Sequence, residues 1–393
     1  MSLTCERLME FNLFEQAEKN IDSKLLFRFF SIFQEIESMD QFIKDSPSFP
    51  GSTDKIIRSE LINVVGATLS IEGTVLDKEE IEESFKKAEE GKPLHRKEQE
   101  AENSRKVYKF IKEYIYPHRD SFEYSEAVIK QIHRYLTEDM NYLSNVPGQY
   151  RSNFIATFGE PRKQGLCRTE SEIEEAMQKF VNWLNIKGEG TISQSIFVKA
   201  IMAHYYLTEI HPFGDGNGRT ARALEALILN ANGVNDYCFW SLANFWSLHK
   251  DQYLDHLHSI RVTLNPTDFT IWGLEGYREE LTRIKGKVLK KVRQLMLSDY
   301  VHYLLRNKKH EKIKINHRIV DIILLLIRRN KVTVEKFFSS PELTALYRNV
   351  STSTRVRDLN KMILIGLIKI DKANGESFIE PNFQILERIH YNV

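Results

Sequence analysis

Twelve consecutive residues, His211-Pro-Phe-Gly-Asp-Gly-Asn-Gly-Arg-Thr-Ala-Arg222, bring one imidazole, one carboxylate, three glycines, an asparagine and two arginines together between two apolar runs. Few stretches restrict a backbone so strongly. Glycine removes the side chain where amides must approach an anion, and it tolerates the left-handed backbone that turns successive N–H groups inward. Gly216, Asn217 and Gly218 therefore read as an amide cradle. Beyond Arg219, the residues Leu224, Leu227 and Ile228 recur at helical spacing and Gly233 supplies a stop, so the cradle is predicted to open a helix. A helix N-terminus offers unpaired N–H groups and a positive dipole end, which together favour phosphate. Arg219 and Arg222, three apart, share a face and present planar, permanently charged forks to phosphate oxygens. Asp215 can hold Mg²⁺ that completes its shell with nucleotide oxygens and water. His211 is the nearby group whose ordinary pKa lets it accept a proton at neutral pH. The chemistry implied is attack by a hydroxyl on a nucleotide phosphate.

An isolated Gly-Asn-Gly would read as an ordinary turn between core helices, but the whole run matches, residue for residue, His-x-Phe-x-Asp/Glu-Gly-Asn-Gly-Arg-x-x-Arg. In this the chain resembles Fic-domain proteins of the Fic/DOC family. The resemblance implies a protein adenylyltransferase that moves AMP from ATP to a Ser, Thr or Tyr hydroxyl of a target protein, the chain itself included, with release of pyrophosphate. By that resemblance His211 deprotonates the hydroxyl and Asp215 holds Mg²⁺. Asn217 with the Gly216 and Gly218 amides receives the transferred phosphate, and Arg219 and Arg222 hold the β- and γ-phosphates. Phe213, apolar between polar neighbours, reads as an anchor pinning the loop into the core. Relatives that phosphorylate carry Lys where this chain has Gly218, so kinase activity is not indicated.

Upstream, Ile56 to Ile71 is apolar at helical intervals and Gly73 can close the helix. Thr68 and Glu72, four apart, face the same way. Alone, a Glu in a last helical turn is a solvated side chain. Many Fic proteins, however, carry an inhibitory helix reading Ser/Thr-x-x-x-Glu-Gly/Asn, and Thr68, Glu72 and Gly73 match it. The resemblance implies that Glu72 pairs with Arg222 and neutralises the charge meant for the γ-phosphate. It equally allows Glu72 to position water for removal of AMP. Between the two features, Gly and Pro bound a short β-branched and aromatic segment from Asn145 to Pro161, which predicts a hairpin. By resemblance, Gly148 and Arg151 form a Gly-x-x-Arg element, and Phe154 and Ile155 begin a flap that pairs with target backbone.

The 393 residues, 42% of them apolar, suffice for two or three cored domains. Cys5, Cys167 and Cys238 are odd in number and lack metal-like spacing, indicating neither a disulfide framework nor a zinc site. The apolar run Ile319 to Ile327 contains Asp321 and is too short to span a bilayer, and the N-terminus, with Glu6, Arg7 and Glu10, is unlike a cleavable signal. The expectation is a cytoplasmic enzyme with no membrane association. A net charge of +1 conceals asymmetry: from Lys285 onward 22 Lys and Arg face 10 Asp and Glu, against 33 and 44 before it. The charged stretch Asp77 to Glu102 reads as solvated helix faces.

The expected fold class is mainly α: a Fic-type helical bundle with a β-hairpin flap, followed by a C-terminal winged-helix-like α+β domain. Helical patterns run through Tyr108–Leu136, Glu170–Leu184, Ser195–Ile210 and a basic stretch from about Tyr277 to Asn307. The organisation read from these is an N-terminal helical segment (1–50), a catalytic domain (51–265) including the inhibitory helix 56–72, a linker and basic helix (266–310), and the tail domain (311–393). In the tail, Ile319–Ile327, Val332–Phe338 and Val350–Ile363 suit helices, and Leu367–Ile370 with Ser377–Ile379 suits a hairpin about Ala373-Asn-Gly375. Such a module would place Arg355 and Arg357 in a DNA major groove with Lys361 near phosphates; alternatively it packs against a partner or a second subunit in a homodimer. The competing functional reading is thus a DNA-binding regulator whose Fic module senses nucleotide.

Overall fold

A computed structural model describes residues 3–47, 53–140, 145–152, 165–188, 190–236, 241–306, 315–348, 350–373 and 375–389. The fold is mainly α, with one small antiparallel sheet. Two compact units can be told apart, Met1–Lys285 and Gly286–Val393, and the division falls inside the helix Thr267–Arg306. Residues read from sequence as a separate N-terminal segment share the first unit with residues 51–265 and with the start of that helix.

The first unit is organised by the helix Ile196–Ile210, here called the approach helix because it leads into His211. It is apolar on nearly every side, and 12 of its residues are buried, which suits the centre of a bundle. Beside it lies the cradle helix, Asn217–Ala231, whose small residues Ala221, Ala223 and Ala226 permit close approach. A third helix, Thr53–Ile71, buries Ile62, Val64, Val65, Leu69 and Ile71 against the cradle helix, Lys78–Glu89, Arg96–Phe110 and Leu242–Leu248. It ends as the sequence predicts, on a left-handed Gly73 (φ 94°). Gly73 N–H donates to Ser70 O (3.1 Å) and Thr74 N–H to Leu69 O (3.0 Å), the paired bonds of a Schellman cap. Glu72 is thereby left on the last turn, projecting off the helix end.

Cys5 and Cys167 are joined by a disulfide, with Cα atoms 5.2 Å apart, contrary to the expectation from cysteine count. The partners lie 162 residues apart, so tertiary packing of the N-terminal turn creates the pair and no local spacing announces it. Cys238 lies outside the described residues.

In the second unit, Leu297, Val301, Ile319, Ile322, Ile323, Leu326, Met362, Leu367 and Ile379 share one core. The helix His317–Arg329 starts on Asn316, whose side chain accepts from Ile319 N–H (3.0 Å). Strands β1 (Val332–Thr333), β2 (Ile368–Ala373) and β3 (Glu376–Pro381) form a sheet of order β1-β3-β2, with Val332 opposite and Ile370 also opposite Ile379. The helix expected over Val332–Phe338 is therefore shorter. β-branched Val332 joins the sheet, and Thr333 caps Val334–Ser339 by accepting from Lys336 N–H (3.1 Å). Helices Pro341–Leu346, Thr352–Leu364 and Ile385–Ile389 follow the sheet's first strand or close the unit.

An ion pair fixes the Glu72-bearing helix from its far end. Glu60 is fully buried and accepts from Arg283 (2.7 Å), which also donates to Glu280 (2.8 Å). Arg283→Met leaves that carboxylate without its cation and is expected to lower stability by about 3 kcal/mol. Urea unfolding measures the effect; an unchanged midpoint would show that Glu60 does not depend on Arg283.

Candidate active site

The approach helix terminates at His211, which adopts the left-handed conformation (φ 54°, ψ 57°) and still donates its N–H to Leu207 O (3.0 Å). A non-glycine residue there needs external support. Arg151 provides it: its Nε donates to His211 O (2.7 Å), its N–H to Pro212 O (2.9 Å) and its Nη2 to Cys167 O (2.5 Å). A side chain at Gly165 would meet His211 Cβ and come 2.9 Å from Ile210 O, so this glycine lets the chain pass directly beside the imidazole.

The turn after His211 is closed internally. Asn217 accepts from Phe213 N–H through Oδ1 and donates to Phe213 O through Nδ2, both at 2.9 Å, and Phe213 is fully buried. Gly216 is left-handed (φ 78°) and its carbonyl accepts from both the N–H and the hydroxyl of Thr220, which starts the cradle helix. The side chain of Asn217 is thus committed to shaping the loop.

His211 is half-buried, and its Nδ1 faces Thr208 O at 3.3 Å. A carbonyl only accepts, so Nδ1 carries the proton and Nε2 keeps its lone pair. Burial pushes the imidazole down to about 4; the Thr208 carbonyl opposes this and the Arg151 charge reinforces it. At neutral pH the ring is an uncharged base.

Arg222 is 1% exposed. Its Nε donates to Thr68 Oγ1 (2.7 Å), and its Nη2 donates to Thr68 O (3.2 Å) and Glu72 Oε1 (2.6 Å). The same Glu72 oxygen lies 2.5 Å from where a Cβ on Gly218 would stand. The carboxylate therefore sits over the first turn of the cradle helix, where an anion is favoured. Burial pushes Glu72 up, but the charges of Arg222 and Arg219 outweigh it and hold the carboxyl below the usual range. Arg219 Nη2 donates to Asp215 Oδ1 (3.1 Å), which also accepts from Gly216 N–H. The Asp215 side chain is 42% exposed. Among the described residues, no group of three or more His, Cys, Asp or Glu side chains gathers as a metal site.

Two residues that the sequence did not mark as part of the site support this loop. His133, fully buried on the helix Glu126–Thr137, lies between Gly148 N–H and Asp215 O, and its ring stacks on Phe213 (3.8 Å, 8°). Burial pushes its pKa down to about 4. Asn145 accepts from Asp215 N–H through Oδ1 (3.1 Å). Of the residues expected at the flap, Gly148 is left-handed (φ 77°) and bonds His133, and the Arg151 guanidinium turns inward to His211 O and Cys167 O. Phe154 and Ile155 lie outside the described residues.

Residues 123–229 match the Fic/DOC family. The chain carries a Fic domain. Among curated relatives, Protein adenylyltransferase fic-1 of Caenorhabditis elegans is 44% identical over 61 residues, 16% of this chain and 12% of that protein. A probable protein adenylyltransferase of Aquifex aeolicus is 32% identical over 136 residues, 35% of this chain and 36% of that one. The matches thus span well under two thirds of those relatives. Among solved structures, a Fic family protein from Desulfovibrio desulfuricans G20 aligns over 90% of this chain and 95% of its own, with 17% identity and a TM-score of 0.52. A Fic-1 fragment from C. elegans aligns over 68% of this chain and 74% of its own, with 20% identity and the same TM-score of 0.52. These likenesses establish a Fic-type fold.

Outside the Fic domain, the residues singled out for DNA lie on the helix Thr352–Leu364. Arg355 donates to Phe338 O (3.3 Å) and stands over the Tyr347 ring at 5.2 Å, so it serves the unit's own packing. Arg357 is exposed and Lys361 partly so. Arg318 pairs with Asp358 (2.8 Å) and Lys369 with Glu380 (2.7 Å). No helix among the described residues is long and apolar enough to cross a membrane.

The depressed pKa of His211 can be checked without any reaction. Proton NMR is expected to show its ring resonances unchanged between pH 8 and 5.5, with titration near 4. A midpoint near the ordinary value of about 6.5 would mean that burial does not govern the ring.

Proposed function

We propose that the Fic domain transfers AMP from ATP to a Ser, Thr or Tyr hydroxyl on a protein, and that Glu72 holds this activity down. The observation that carries this is the Glu72 carboxylate, bound to Arg222 and seated over Gly218 where a nucleotide phosphate would meet the helix N-terminus. With the carboxylate withdrawn, Arg222 and Arg219 are cations at the mouth of an amide cradle, suited to the β- and γ-phosphates. His211 Nε2 accepts the proton of the incoming hydroxyl as its oxygen bonds to the α-phosphorus. The bond from that phosphorus to the bridging oxygen breaks, and pyrophosphate departs with the electron pair.

The donor set suits a magnesium ion, which favours oxygen and keeps most of its waters; Asp215, partly exposed beside the cradle, is the residue that would hold it. Bound there, the ion would offset the charge of the polyphosphate. The side chains of Arg151, Asn217 and Phe213 shape the loop. A nucleotide sensor coupled to DNA has less support: a sensor has no use for a neutral imidazole whose Nε2 keeps its lone pair, and Arg355 is committed internally. We read the second unit as a winged-helix-like module whose role is separate from the transfer step.

A hydrogen bond between charged groups contributes about 1.5–3 kcal/mol, and the Glu72 side chain is 39% exposed, which favours the lower end. At 1.4 kcal/mol per decade, Glu72→Gly is expected to raise labelling from α-labelled ATP by about tenfold or more. His211→Ala in that background is expected to abolish it. Labelling that is unchanged by Glu72→Gly, or that persists without His211, contradicts this reading, and loss of AMP from a modified protein in the same assay would assign Glu72 to hydrolysis.

A further inference from the structure

We propose that His133 is a positioning residue for the reaction, holding the Asp215 peptide in the orientation that sets its carboxylate beside the cradle, where it would meet the nucleotide. The imidazole bridges two backbone groups of opposite kind. Nδ1 accepts from Gly148 N–H at 3.0 Å, and Nε2 donates to Asp215 O at 2.9 Å. These two bonds together admit one neutral tautomer, with the proton on Nε2. Stacking on Phe213 at 3.8 Å and 8° fixes the ring plane.

The opposite side of the same residue is held as well. Asp215 N–H donates to Asn145 Oδ1 (3.1 Å), so both backbone polar groups of Asp215 are taken by side chains from outside the motif. One turn along from His133, Thr137 donates to His133 O (2.8 Å), and its methyl group would lie 3.1 Å from a Cβ at Gly216. The helix Glu126–Thr137 thus forms a wall under the cradle. Rotation of the Asp215 peptide would break the Nε2 bond and leave a part-buried acceptor unpaired, so the ring favours one loop conformation. Because Gly148 stands three residues before Arg151, which supports His211, the ring also ties the two halves of the site into one register. This inference rests on the reading that Asp215 meets magnesium-bound nucleotide.

Two variants separate hydrogen bonding from ring packing: His133→Phe retains an aromatic ring against Phe213 and loses both bonds, whereas His133→Gln retains a donor and an acceptor. Each is placed in the full chain, with and without Glu72→Gly. Nitrogen-15 NMR of the unsubstituted protein is expected to show His133 protonated at Nε2 alone. Calorimetry in the Glu72→Gly background is expected to show magnesium-dependent ATP binding weakened about tenfold by His133→Phe, with binding of metal-free ATP unchanged and most affinity restored by His133→Gln. In transfer assays, kcat falls more than KM for the acceptor rises. The other tautomer, wild-type magnesium dependence in His133→Phe, or equal loss in both variants would overturn the proposal. Should His133→Phe fail to fold, the NMR signature and His133→Gln still decide. A Glu72→Gly parent that binds magnesium and ATP yet transfers no AMP would sink the proposed activity and leave the assignment of His133 intact.

Discussion

A guanidinium that is 1% exposed has to be matched by oxygens, and Arg222 imposes that demand on everything around it. The match is made where two helix ends meet. The Glu72-bearing helix brings its C-terminal carbonyls, among them Thr68 O, to the same place as the N-terminal turn of the cradle helix. The partial charges at those ends are opposite, and Thr68 Oγ1 and Glu72 supply the remaining acceptors. A carboxylate at a helix C-terminus is unfavourable by itself. Glu72 tolerates it because two arginines stand in front of it, and those arginines also keep it ionised.

The same geometry defines a competition. On the proposed function, a nucleotide phosphate would call on the guanidinium that the Glu72 carboxylate holds and on the space over Gly218 that it fills, so each would be present only at the other's expense. The rest of the loop is held by other partners. His211 is held by Arg151 and Thr208, Asn217 by Phe213, and Asp215 by His133 and Asn145. On the proposed function, release of Glu72 would call for motion at one helix end, since these residues do not depend on it.

Much of the loop was legible because twelve adjacent residues carry its chemistry, and backbone demands such as the left-handed Gly216 are written locally. Glu72 and Arg222 are 150 residues apart, and family likeness alone brings a Glu on a last helical turn to notice. His133 and Asn145 left no signal. A single histidine on the apolar face of an amphipathic helix looks like any core residue, and an asparagine near a proline looks like a turn. The Cys5–Cys167 bond was hidden for the same reason, since an odd count and a span of 162 residues carry no information about tertiary proximity. Arg151 was noticed, but a sequence does not say whether a cation points outward to a target or inward to carbonyls of its own chain, as it does to His211 O and Cys167 O. In the second unit, Val332 was drawn out of a helical pattern by its pairing with β3, a contact made nearly fifty residues later.

The competition between carboxylate and phosphate can be measured with pyrophosphate, which has the charge of the departing group and needs neither adenine nor an acceptor. Calorimetric titration of the unsubstituted chain and of Glu72→Gln, a neutral side chain of nearly the same shape, compares their affinities in the same buffer. Tighter binding to Glu72→Gln by about tenfold is expected from loss of one charged hydrogen bond to Arg222. Equal affinities would mean that the Glu72 carboxylate does not occupy the anion site, and the physical basis for its restraint on the enzyme would be gone.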